Sequence, residues 1–125
     1  MTPLVFVAVA LAGGLGAVAR LVVDGVVASR SQWRLPVATM AINLSGSALL
    51  GLITGLVSRA VLADDWRLVL GTGVLGGYTT FSTASLETVQ LVLDRRPWSA
   101  VFHAVAMVLG CTALALAGLL LGLHA

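Results

Sequence analysis

The chain has 125 residues, of which 59% are hydrophobic and 10% charged, with 14 glycines. A mean hydropathy of +1.07, set against the roughly 25% of charged residues usual in soluble domains, excludes a water-soluble enzyme, a disordered linker and a nucleic-acid binder. The formal charge of +2 comes from seven Arg, no Lys and five acids, with no basic cluster longer than Arg95-Arg96, and the single Cys111 excludes an intrachain disulfide and a Cys-based zinc site.

Four runs carry no charged side chain: residues 1–19, 35–58, 68–86 and 97–125. A bilayer core of about 30 Å is crossed by a helix of about 20 mostly apolar residues, and each run reaches that length. The charges gather between them, at Asp24, Arg30 and Arg34, at Arg59, Asp64, Asp65 and Arg67, and at Asp94, Arg95 and Arg96. The pattern predicts one unit of four transmembrane helices over 3–24, 36–58, 67–93 and 98–123, joined by three short loops. Trp33, Trp66 and Trp98 stand at the mouths of spans, where the headgroup region favours indole. Pro36 and Pro97 fall near helix starts, where a missing N–H is harmless. Residues 1–19 have no basic segment before them and Arg20 after them, so they read as a retained span rather than a cleaved leader. Arg30, Arg34, Arg95 and Arg96 on one side against Arg59 and Arg67 on the other give a slight orientation bias.

In the first span Ala8, Ala12, Gly16 and Arg20 recur every four residues. Arg20 is read two ways: a side chain snorkelling to the headgroups, or a cation facing an aqueous vestibule. In the second span Thr39, Asn43, Ser47, Gly51 and Gly55 share one face. The small residues read as close packing of the GxxxG kind. A carboxamide in lipid needs partners, so Asn43 reads as part of a polar cavity or ion path.

The third span carries the chemistry. Gly71, Gly73, Gly76 and Gly77 are followed by Ser or Thr at 79, 80, 82, 83, 85 and 88. Each Gly costs a helix interior about 1 kcal/mol relative to Ala. Two adjacent Gly before β-branched Thr79-Thr80 therefore predict a helix broken at mid-membrane. Irregular backbone in lipid is tolerated only against protein or a lined cavity. Its carbonyls suit a cation, and the following hydroxyl donors suit a small hydrated anion. Phe81 lies inside the hydroxyl run, and an aromatic edge carries partial positive charge toward an anion. Glu87 is read either as an intramembrane carboxylate site or as the end of the span at an interface. In the fourth span His103 reads as packed or interfacial, Cys111 as a small buried hydrophobe, and Thr112 as bonding back to its own helix. Four helices leave little room for a pore in one copy, so oligomerisation is expected.

Three blocks resemble the small bacterial fluoride channels of the Fluc/CrcB type: Gly13-Gly14-Leu-Gly16-Ala17-Val-Ala-Arg20, Thr39-Met-Ala-Ile-Asn43-Leu-Ser-Gly46-Ser47 and Gly76-Gly77-Tyr78-Thr79-Thr80-Phe81-Ser82-Thr83. The resemblance implies an antiparallel, dual-topology dimer in the bacterial plasma membrane. Two fluoride pores would run through it, exporting fluoride passively and relieving its toxicity. It implies a central structural sodium ion, not transported, held by the backbone carbonyls of Gly76 and Thr79. It places Asn43, Phe81, Ser82, Thr83 and Ser85 on or beside the pore, and Arg20 and Glu87 in vestibule or supporting positions.

One position departs from the family pattern. A second phenylalanine is expected three residues after Phe81, and Ala84 stands there. The working unit is therefore either a homodimer that tolerates one ring or a heterodimer with a related subunit that supplies the other. Two other classes were weighed. A four-helix proton-coupled multidrug exporter needs a deep carboxylate, usually in its first helix, and residues 1–19 have none. A purely structural membrane subunit leaves the Gly-Gly-Tyr-Thr-Thr-Phe-Ser-Thr run without a purpose. No constellation of a catalytic kind is present, so no enzyme is expected.

Overall fold

The computed structural model describes every residue of the chain except position 33, so the interfacial expectation for Trp33 lies outside the described residues. No strand occurs among the described residues. Helix α1 runs over Pro3–Arg30, α2 over Val37–Ser58 and the single turn α3 over Asp64–Trp66. A π-helical segment, Arg67–Leu75, leads into the short α4, Gly76–Tyr78. Then α5 spans Phe81–Leu93 and α6 spans Pro97–His124.

Helices α1, α2 and α6 are each long and apolar enough to cross a membrane. Their starts follow the local chemistry. Thr2 caps α1, its hydroxyl accepting from Val5 N–H, and Pro3 and Pro97 occupy first-turn positions of α1 and α6. The Arg96 guanidinium donates to the Arg34 carbonyl. That bond places the turn before α6 at the same end of the bundle as the α1–α2 loop. Helix α2 leads away from that end, so residues 64–93 must carry the chain back across it. Trp66 and Trp98 are exposed, Trp98 by 83%.

The helices pack in two pairs. Helix α1 lies along the π-helical segment and α4, α2 lies along α6, and α5 crosses to α6. Glycine sets both contacts. A Cβ on Gly16 would run into the Val74 carbonyl, and one on Gly77 into the Gly13 carbonyl, so those backbones touch. Gly51 and Gly55 of α2 meet the backbone of α6 near Ala115 and Leu119 in the same way. The four-residue spacing read in α1 and α2 is thus a packing stripe at both places: Ala12 and Gly16 are the buried residues of α1, and Gly51 and Gly55 are buried in α2.

The sequence pattern predicts an ordinary helix entering the glycine pair, whereas residues 67–75 wind as a π-helix. Gly71 and Gly73 weaken the α-form locally. A Cβ on Gly73 would stand 2.8 Å from Ala12 Cβ and 3.0 Å from the Val9 carbonyl, so close seating on α1 holds this stretch. Wide turns of this sort gather beside functional sites.

Candidate functional site

Between α4 and α5 two residues leave the helix. Thr79 (φ −79°, ψ 159°) and Thr80 (φ −148°, ψ 123°) are extended. Thr80 then caps α5: its hydroxyl accepts from Thr83 N–H at 3.3 Å and donates to Thr83 Oγ1 at 3.1 Å.

Polar groups from three other elements converge on these two residues. Asn43, buried on α2, donates through Nδ2 to the Thr80 carbonyl at 2.7 Å and accepts the Thr80 N–H on Oδ1 at 2.8 Å. Arg20, on α1, donates to the Thr79 carbonyl at 3.2 Å. The Thr79 hydroxyl donates to the Leu75 carbonyl at 2.9 Å. The Arg20 guanidinium thus rests on the extended backbone.

An open groove of about 680 Å³ runs past this point, and Asn43, Gly76, Thr79, Phe81, Ala84 and Ser85 are among its walls. Phe81 is 87% exposed. An aromatic ring that finds no partner in its own chain, beside a polar backbone turn, presents an edge to whatever enters the groove. The Ser85 hydroxyl donates to the Phe81 carbonyl at 3.0 Å. Ser82 and Thr83 are also exposed but are not among the groove walls; their hydroxyls gather at Thr80.

Glu87 is set apart from the groove. Its Oε1 accepts from Thr39 Oγ1 at 2.8 Å, and its Oε2 lies 3.9 Å from His103 Nε2, too long for a hydrogen bond. His103 is 0% exposed and its ring nitrogens make no hydrogen bond. Of its two expected settings the packed one holds, and the half-buried Glu87 is tied to α2 through Thr39. Thr112 bonds back to the Val108 carbonyl at 2.7 Å as expected, while Cys111 is only half-buried and lines the groove.

The structure thus brings Asn43, Gly76, Thr79, Phe81 and Ser85 together, joins Arg20 to them through Thr79, and leaves Glu87 in a second polar cluster. Two participants were not singled out in the sequence: Thr39 stood on the shared face of the second span, and Thr80 stood in the break and the hydroxyl run. For Thr80 the signal was its β-branched neighbourhood after Gly-Gly; for Thr39 it was its place one turn before Asn43 on the same face.

Residues 7–119 match the family model described as CrcB-like protein, Camphor Resistance (CrcB). A protein of Leifsonia xyli named fluoride-specific ion channel FluC 1 is 53% identical over 122 residues, covering 98% of this chain and 89% of the relative. Fluoride-specific ion channel FluC 2 of Mycolicibacterium paratuberculosis is 46% identical over 110 residues, 87% of either chain. FluC 1 of Listeria monocytogenes is 42% identical over 107 residues, 86% of this chain and 83% of its own. With an all-helical fold, three helices long enough to span a bilayer and a match over nearly its whole length, this multi-pass membrane protein belongs to the CrcB family.

Proposed function

We propose that the chain is one subunit of a passive fluoride channel in the bacterial plasma membrane, working as an antiparallel dimer. Residues 67–93 serve as its fourth crossing, a span broken at Thr79-Thr80. The observation that carries this reading is the exposed Phe81 edge beside a backbone break clamped by Asn43. Fluoride holds its water tightly, so a path for it must offer donors in exchange. The remaining Asn43 amide hydrogen and the Phe81 edge supply them at the groove; the one Ser85 hydroxyl hydrogen rests on the Phe81 carbonyl and would have to turn from it to add a third, with Ser82 and Thr83 supporting the turn.

A structural sodium ion at the dimer centre would be held by the Gly76 and Thr79 carbonyls. One feature of the chain suits it. A Cβ on Gly76 would meet nothing closer than the Gly71 carbonyl at 3.9 Å, so packing inside one chain does not require glycine there. When bound, the ion would offset carbonyl dipoles turned toward the interface.

Arg20 takes a supporting role, fixing the Thr79 carbonyl. Glu87 holds α5 to α2 through Thr39. Ala84 favours a second arrangement of the same function, a heterodimer, because the groove lacks the ring that the family pattern places there. A member of a heterodimer needs one preferred orientation, and the arginine bias fits that.

The test is fluoride efflux from liposomes holding the purified chain, with chloride as control. Fluoride passes and chloride does not; Phe81→Ile abolishes the flux while the dimer survives. Ala84→Phe preserves or raises it. Flux that appears only when a related Phe-bearing subunit is added decides for the heterodimer. Absence of fluoride flux with sodium present and such a subunit added defeats the proposal.

A further inference from the structure

Thr80 has both of its backbone groups taken by one side chain. Its N–H meets Asn43 Oδ1 at 2.8 Å and its carbonyl meets Asn43 Nδ2 at 2.7 Å. The orientation of the carboxamide follows from chemistry, because an N–H must face the oxygen. A residue shows its own N–H and C=O on one side only when extended, as in a strand rung, and Thr80 is extended at φ −148°, ψ 123°.

The alternative for that N–H is defined by helix geometry. If α4 continued, Thr80 N–H would donate to the carbonyl four residues back, that of Gly76. Asn43 and the Gly76 carbonyl therefore compete for one donor. Neighbouring contacts favour Asn43. Gly46, one turn further along α2, lies so close to Thr79 that a Cβ there would collide with the Thr79 methyl group. The helix carrying Asn43 is thus pressed onto the turn.

We infer that Asn43 is a positioning residue for the cation site: by taking the Thr80 N–H it releases the Gly76 carbonyl toward the groove. The inference rests on the reading that Gly76 and Thr79 carbonyls bind sodium. It joins two functions in one side chain. The bond from the Thr80 N–H frees the Gly76 carbonyl, the bond to the Thr80 carbonyl steadies the turn, and one amide hydrogen is left over for an anion. The pore wall and the cation site then share a single part, and a change in the seating of α2 reaches both.

Asp can accept from Thr80 N–H but, ionised, cannot donate to its carbonyl; Leu can do neither. The experiment uses the full chain in detergent. Thr79-Thr80 is the one Thr-Thr pair and Thr80-Phe81 the one Thr-Phe pair in the sequence. Carbonyl-13C threonine with 15N-threonine or 15N-phenylalanine therefore isolates the Thr80 amide and the Thr80 carbonyl by NMR. Dimer melting is followed in parallel as sodium replaces N-methylglucamine. In the wild-type chain the Thr80 amide is protected from exchange, and sodium raises the melting temperature. Asn43→Asp, which keeps an acceptor for the Thr80 N–H, shifts the Thr80 carbonyl signal but retains amide protection and the sodium response. Asn43→Leu exposes the amide and removes the sodium response.

Two failures are distinguishable. A wild-type dimer indifferent to sodium overturns the cation reading. A wild-type response that survives unchanged in Asn43→Leu overturns the role given to Asn43. If neither variant assembles, the wild-type amide decides, and free exchange at Thr80 overturns the clamp.

Discussion

Gly16, Gly76 and Gly77 sit within one turn of the same contact yet do different things. A Cβ at Gly16 or Gly77 would penetrate the facing backbone, and backbone has nowhere to go. A Cβ at Gly76 would stand in the open. Gly16→Ala and Gly77→Ala therefore each lower stability by about 1–3 kcal/mol, the usual cost of overpacking, seen as earlier loss of helical signal on denaturation in detergent. Gly76→Ala leaves the helical signal of the chain intact but reduces the dimer fraction, since the added carbon falls at the surface where a second copy would sit. Equal behaviour of Gly76→Ala and Gly77→Ala would sink that distinction. Phe81, Asn43 and Gly76 were legible as residues of interest because aromatic, carboxamide and glycine are each unusual in their setting. Thr80 was not, because threonine is ordinary in a hydroxyl-rich run and its importance lies in its backbone.

At the scale of elements, α2 and α5 end alike. After Ser58 the bonds Ala60 N–H to Val57 carbonyl and Val61 N–H to Leu56 carbonyl close α2; after Leu93, Arg95 N–H to Val92 carbonyl and Arg96 N–H to Leu91 carbonyl close α5. Both turns need a left-handed residue, and the chain uses Ala60 (φ 56°) and Arg95 (φ 58°) rather than glycine. An L-residue there costs about 1 kcal/mol that glycine avoids. Ala60→Gly is expected to stabilise the chain by about that amount, less the entropy glycine adds to the unfolded state; a fall in the denaturation midpoint would count against the turn geometry. Arg95 also belongs to the positive-inside balance, so Ala60 is the cleaner site. Helix positions were readable from hydropathy and charge. The π-helical winding of 67–75 was not, because glycines permit it but only contact with α1 selects it.

At the scale of the whole molecule, the outward surface of α1 is apolar, with Leu4, Leu11, Leu15 and Leu21 exposed. The groove beside α5 is different: its walls are mostly apolar, but they set an exposed Phe81 beside a few polar groups, among them Asn43, Thr79, Thr80 and Ser85. A second subunit covers it in the proposed channel. Mass measurement in mild detergent is expected to give two chains per particle, and dilution to monomer is expected to end fluoride flux. A monomer with full flux would remove the need for the interface.

Local chemistry along the chain settled the membrane setting and the all-helical class, and pointed to a break after Gly76-Gly77, because hydropathy, charge placement and glycine content act over a few residues. Pairing across the bundle was settled only by tertiary structure. Asn43 and Thr80 are 37 residues apart, Thr39 and Glu87 are 48, and Arg20 and Thr79 are 59. Which side chain takes which backbone group depends on how closely two glycine-lined helices approach and at what height. That height is the outcome of all the contacts along both helices, so no local pattern encodes it. The excess of apolar residues made a membrane protein certain, and the placement of a few polar groups against one extended dipeptide made it a candidate channel.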